Sequence, residues 1–220
     1  MTRLEIITRF REENPEITSR VVTDAVLNTW CLVANQEICA RARLIVNDGT
    51  FAAVENEDAY DLNSRLTNFF DIDEIPGGGV SIIDDDSLEK RLIKTTIAEL
   101  DDKSSSWRTS ASARPRYFYR RGKYIHLYPI PNDTIATIHV YYVQIPDDFD
   151  DDAETPYNQL THLEPFHYGI VKYLTWRAKS KVGKPEDAAR AMTEYDAYIQ
   201  WIKKEVGGGK YGPVYFRRKA

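Results

Sequence analysis

The sequence is poor in whatever would mark a secreted, membrane-spanning or nucleic-acid-coating protein. Its 220 residues hold only two cysteines, Cys31 and Cys39, too few for a disulfide framework. In a helical-looking stretch these two would stand roughly 12 Å apart along the axis, beyond the reach of a disulfide. They read as small buried hydrophobes in a reducing compartment. No apolar run reaches the roughly 18 residues of a membrane span. The opening Met1-Thr2-Arg3-Leu4-Glu5 is charged at once, which predicts no secretory signal. Positive charge is not in excess either. Lys plus Arg is 29 and Asp plus Glu is 34, a net charge of −5, where a general nucleic-acid-coating domain would be strongly basic. A soluble protein made in a cytoplasm is expected.

Signatures of catalysis are also missing. His162 and His167 are five positions apart with Pro165 between them, whereas a zinc-protease helix needs histidines at i and i+4. Helix-start polar residues are the reading for that pair, and sheet-surface residues for His126 and His139. No phosphate-binding loop and no Gly-x-Ser-x-Gly elbow occurs. Asp71, Asp73 and Glu74 lack the register of a calcium loop. No nucleophile stands beside a base, so neither an enzyme activity nor a metal or other cofactor is expected. A carboxylate-based hydrolase with an inconspicuous site remains a competing class, to be revealed by a pocket of convergent titratable groups.

What is present is a change of pattern along the chain. Thr2 and Glu5 have capping-box spacing, followed by Leu4, Ile7 and Phe10. Asn14-Pro15 reads as a helix restart, with Asn as N-cap and Pro at the first helical position. Ile17, Val21, Ala25, Trp30, Val33 and Ile38 then give a helical face to about Arg43. Asn47-Asp48-Gly49 is a turn, and Thr50 to Leu62 is strand-like. Pro76 to Gly79 is a loop before the apolar run Val80 to Ile83. Ser87 to Leu100 is ambiguous: Leu88, Leu92 and Thr96 suggest a helix, but Leu92 to Ile97 suits a strand better. Arg116 to Arg120 and Lys123 to Tyr128 form a hairpin about Gly122, and Ile135 to Ile145 is another strand. Asp147-Asp148-Phe149-Asp150-Asp151-Asp152-Ala153-Glu154 breaks the composition with six acids in eight residues. Two strong helices follow, around Phe166 to Gly183 and Lys184 to Val206. Their short connection implies an antiparallel helical hairpin, and Gly207-Gly208-Gly209 stops the second helix.

The expected fold class is α+β: a helical bundle of N-terminal helices plus the C-terminal hairpin, with an inserted antiparallel β-rich part. In numbers, a single domain covers 1–206, with helices in 2–44 and 160–206 and the insertion at 48–146. An extended arm, 207–220, follows. Loose termini are mostly small and polar, yet this arm carries Tyr211, Pro213, Val214, Tyr215, Phe216, Arg217 and Arg218. Such apolar and basic content is expected to dock on a partner. A second basic-aromatic cluster interleaves Arg114, Arg116, Arg120, Arg121 and Lys123 with Tyr117, Phe118, Tyr119 and Tyr124. As a hairpin it could present a core face and a charged outer face, or act as a nucleic-acid-binding module over 114–124.

One stretch carries a family resemblance. It runs Ala98-Glu99-Leu100-Asp101-Asp102, Trp107, then Arg114-Pro115-Arg116-Tyr117-Phe118-Tyr119. The hairpin to Leu127-Tyr128-Pro129-Ile130-Pro131, then Tyr141-Tyr142 and Pro146, and the helical pair complete it. This pattern resembles the head-to-tail adaptor (connector) proteins of tailed bacteriophages, across about 1–206 and best from about 90 onward. The resemblance implies a structural virion protein, resident at the portal vertex. It would form a homo-oligomeric ring, usually twelve-fold in the family, below the portal protein. It would offer a surface to a tail or nozzle protein and pass DNA without sequence-specific binding. No membrane is implied. Residues 211 and 213–218 would then be the portal-docking arm. The acidic residues Asp84, Asp85, Asp86, Asp147, Asp148, Asp150, Asp151 and Asp152 would line the DNA channel or be solvated loops. Negative charge suits a channel, because a wall that attracts phosphates would slow passage.

Overall fold

The computed structural model describes residues 1–74, 79–83, 88–103, 107, 112–132 and 136–207. It is a mixed α+β structure. Its contacts divide the chain into a helical unit, Met1–Ile45 with the segment from Gln144 onward, and a β-rich unit, Val46–Val143.

In the helical unit, α1 (Arg3–Glu13) opens with the reciprocal cap that Thr2 and Glu5 foretell. The Glu5 amide donates to Thr2 Oγ1 at 3.2 Å, and the Thr2 amide to Glu5 Oε2 at 2.8 Å. Asn14-Pro15 does not restart a helix. Asn14 is the C-cap of α1, and its side chain donates back to the Phe10 carbonyl at 3.0 Å. A proline disfavours helical backbone in the residue before it, so the dipeptide acts as a stop. The chain to Thr23 is irregular, held by the Arg11 guanidinium, which donates to the carbonyls of Ile17 and Val22 at 2.9 and 2.6 Å. Helix α2 (Asp24–Ala42) starts only there.

The two later helices form as their periodicity predicts: α5 (Tyr168–Lys181) and α6 (Pro185–Gly207). They are joined at Gly183, whose φ of +78° suits a residue without a β-carbon. Helices α1, α2, α5 and α6 share one core, in which Ile6, Phe10, Leu27, Ile38, Ile170 and Ile199 are sealed from solvent. A close approach of α5 to its neighbours depends on Gly169. A β-carbon there would stand 3.1 Å from the Tyr198 ring and 3.3 Å from Ile38 Cδ1, so a larger residue would force the helices apart.

The β-rich unit holds β1 (Val46–Ala52), β2 (Ala59–Asp61), α3 (Leu62–Arg65), β3 (Phe69–Ile72), β4 (Val80–Ile83), β5 (Glu89–Arg91), β6 (Ile93–Lys94), α4 (Ile97–Lys103), β7 (Tyr117–Arg121), β8 (Tyr124–Tyr128) and β9 (Thr137–Gln144). One sheet has the order β1-β9-β4-β5, with β3 also on β9; the other runs β2-β8-β7-β6. Phe51, Tyr60, Ile82, Phe118, Ile125 and Ile138 from both sheets form one core. The ambiguous stretch before Leu100 contains both candidates, two short strands and then α4, which Thr96 and Glu99 cap reciprocally at 3.2 and 2.9 Å. The expectation of an antiparallel β part needs one correction. Strands β6 and β7 pair in parallel, because the chain between them crosses back through α4, as a parallel pair requires.

His167, at the foot of α5, is 1% exposed. Burial, with the Met1 ammonium 2.7 Å from its Nδ1, holds its pKa down to about 4. The unfolded imidazole titrates near 6.5. Between those values the unfolded chain binds a proton that the folded chain does not. Stability should therefore be full above about pH 6.5 and fall by roughly 1.4 kcal/mol per unit as pH drops toward 4. Urea unfolding across that range checks it. His167→Gln should flatten the slope, and an unchanged slope would assign the titration elsewhere.

Candidate assembly surfaces

The acidic run after β9 is held in place at several points. It is a strap across the helical unit. Phe149, in its middle, is 3% exposed and joins the helical core. The polar groups on either side are tied to α1 and α2. Asn35 donates to the Asp147 carbonyl at 3.3 Å and Gln36 to Asp148 Oδ1 at 3.2 Å. The Arg3 guanidinium is almost covered. It donates twice to Asp152 Oδ1, at 2.9 and 3.1 Å, and once to the Phe149 carbonyl at 3.2 Å. The amides of Arg3 and Leu4 donate to the carbonyls of Glu154 and Asp152, so the strap also satisfies the first turn of α1. Asp147 receives its own support from Asn158, whose Oδ1 accepts from the Asp147 amide at 2.8 Å. Asp150 and Asp151 stay exposed and form no ion pair among the described residues.

Of the other sequence-derived candidates, Asp84, Asp85 and Asp86 lie outside the described residues. So do Tyr211, Pro213, Val214, Tyr215, Phe216, Arg217 and Arg218. The acidic candidates are thus placed only in the strap. Its tethers, Arg3, Asn35 and Gln36, stand more than a hundred positions earlier in the chain. No local pattern announces them. An apolar residue inside an acidic run, Phe149, is the one hint the sequence offers.

The hairpin β7–β8 forms as predicted, with a two-residue turn at Gly122-Lys123. Its outward face reads Tyr117, Tyr119 and Arg121 on one strand and Tyr124, His126 and Tyr128 on the other. Trp107 lies edge-on to Tyr119 and Tyr128, with centroids 6.1 and 5.6 Å away. Tyr119 stacks on His126 at 4.6 Å. Arg120 is ion-paired with Asp71, and Lys123 with Asp61 at 2.6 Å. Two of the cations a nucleic-acid interface would need are thus neutralised, and several stacking faces are already occupied by one another. The hairpin reads as a structural ribbon with a second, aromatic layer outside it.

Strand β9 carries a polar cluster. His139 is 3.0 Å from Asp48 through Nε2 and 3.2 Å from Glu89 through Nδ1, and the Ser81 hydroxyl donates to the same Glu89 oxygen at 2.5 Å. The two carboxylates hold opposite nitrogens of one ring, which orients the imidazole and leaves no nitrogen for a metal. No group of three or more His, Cys, Asp or Glu side chains is placed to hold a metal ion among the described residues. No helix of the described residues is long and apolar enough to cross a membrane.

The sequence profile of a family described as SU10 adaptor protein matches residues 1–212. No curated protein matches the chain. The profile spans the helical segments, the β-rich insertion and the strap together. It describes a structural phage adaptor, which is not a class of enzyme.

The strap gives a test of anchor against solvated acid. Phe149→Ala should cost about 3–5 kcal/mol of stability, the usual loss for an emptied aromatic core site. The double change of Asp150 and Asp151 to Asn should stay within about 0.5 kcal/mol of wild type. Denaturant midpoints read both. Equal effects would mean that the strap is not anchored through Phe149.

Proposed function

We propose that this chain, which belongs to the SU10 adaptor protein family, forms a ring directly below the portal and joins the DNA-filled capsid to the tail. The family implies a structural protein of the virion that assembles with portal and tail components. The finer reading is that the helical bundle makes the ring wall and that DNA leaves through its centre. The match over residues 1–212 carries this reading.

Several physical features support it. A net charge of −5 lets DNA slide without being held, since like charge keeps phosphates off the wall. We place Asp84, Asp85 and Asp86 along that wall. The ring needs head-to-tail subunit contacts, because only heterologous interfaces close into rings of high order. The arm after Gly209 is the portal-docking element. Tyr211, Val214, Tyr215 and Phe216 supply apolar anchors worth roughly 1.5–3 kcal/mol each when buried. Pro213 limits the conformations lost on docking, and Arg217 and Arg218 steer toward an acidic rim. Repetition around the ring multiplies a weak single contact. The hairpin, with Arg120 and Lys123 ion-paired and its aromatic rings packed on one another, weakens the nucleic-acid-module alternative.

Deletion of Lys210 to Ala220 tests the arm. The shortened protein should keep its circular dichroism and melting temperature but lose attachment to filled heads, read by co-sedimentation. Normal attachment would make the arm dispensable, and unfolding would make it part of the core.

A further inference from the structure

On the helical unit, Trp30 of α2 gathers two cations from α5. The Arg177 guanidinium carbon lies 5.6 Å from the Trp30 ring centre and the Lys181 ammonium 5.9 Å from it. Arg177 also sits 5.6 Å from the ring of Trp176. Both cations are exposed, and neither has a carboxylate partner among the described residues. By contrast, Arg3, Arg11, Arg41 and Lys172 of the helical unit each have a carboxylate partner. Val33, one turn on from Trp30, is 43% exposed. Tryptophan and arginine are the residues enriched at interface hot spots, and stacked cations are already ordered, so less freedom is lost when they bind.

The occupant is set by charge. The strap, whose Asp150 and Asp151 form no ion pair among the described residues although Asp151 Oδ1 accepts from the Ala153 amide at 2.8 Å, is fixed to α2 through Asn35 and Gln36. Those positions lie about 140° and 240° round the helix from Trp30. The Trp30 ring and the tethered start of the strap, Asp147 and Asp148, therefore leave α2 on different sides. A heterologous, ring-closing contact requires two different, complementary surfaces on one chain, and the cations over Trp30 and the exposed acids of the strap are of opposite charge. We propose that Trp30, Arg177 and Lys181 of one copy receive Asp150 and Asp151 of the next copy. This assigns the strap to the subunit contact and not to the channel wall, and it rests on the ring reading above.

The test uses the full chain with purified portal protein, and counts bound copies by mass. Wild type should form its multimer, weakening as salt rises because exposed charges are screened within about 10 Å at 0.1 M. Arg177→Glu with Lys181→Glu should lower assembly about tenfold or more, with an unchanged melting temperature. Asp150→Lys with Asp151→Lys should do the same. All four changes in one chain should restore assembly, because the pairing is reversed and not removed. Assembly of either double variant at the wild-type level, or failure of the fourfold variant to recover, overturns the contact. A wild-type chain that forms no multimer on the portal overturns the ring itself, and the contact with it.

Discussion

The structure depends on one pairing at the root of the β-rich insertion. A segment can be inserted into a helical unit without breaking it only if its two ends lie side by side. Strands β1 and β9 provide that, antiparallel from Val46↔Val143 outward. The ladder runs through seven residue pairs to Ala52↔Thr137, so the ends are fixed by backbone hydrogen bonds and not by a single contact. β9 then serves as the spine of its sheet, with β1 on one side and β4 and β3 on the other. Its inward residues Ile138 and Val140 are fully buried, and its polar His139 is held between Asp48 of β1 and Glu89 of β5. A charge-assisted bracket of this kind ties three strands of one sheet at a single residue.

The return of the chain to the helices explains the strap. After Gln144 the backbone must reach α5, and it does so across α1 and α2. A run so acidic would be repelled from an apolar surface, yet Phe149 gives it one deep anchor and Arg3 one buried counter-charge. A guanidinium that is almost covered costs desolvation free energy unless its donors are used. Here three donor contacts go to Asp152 and Phe149. Past the strap, Tyr157, Asn158 and Gln159 take left-handed backbone, uncommon for non-glycine residues. The buried Tyr157, whose hydroxyl donates to the Phe166 carbonyl at 3.2 Å and whose amide donates to Asn35, offsets that cost. One asparagine of α2 thus holds both the strap and the turn that follows it.

Much of the fold was legible because its signals are local. The period of Ile170, Leu174 and Ala178, then of Tyr195, Ile199 and Ile202, needs only a helix and a core. The hairpin about Gly122 and the strand from Thr137 need only alternation and a turn. The start of α2 was not legible, since Asn-Pro serves equally as an N-terminal and a C-terminal signal until a partner such as Arg11 fixes the intervening chain. Nor was β5, whose three residues are too short to show a period and exist through their neighbour β4, whereas β6 falls within the strand-like Leu92 to Ile97. The assembly surfaces followed the same division. The acids and the aromatic arm stand out in composition, whereas Arg3 beneath the strap and the cations over Trp30 are brought together by tertiary packing alone.

The proposed ring on the portal fixes how many copies can be bound there. Native mass measurement of the portal protein saturated with the full chain tests it most directly. A closed head-to-tail ring should give a discrete complex with more than roughly one copy for every two portal subunits. A complex that saturates at or below that ratio would rule the ring out.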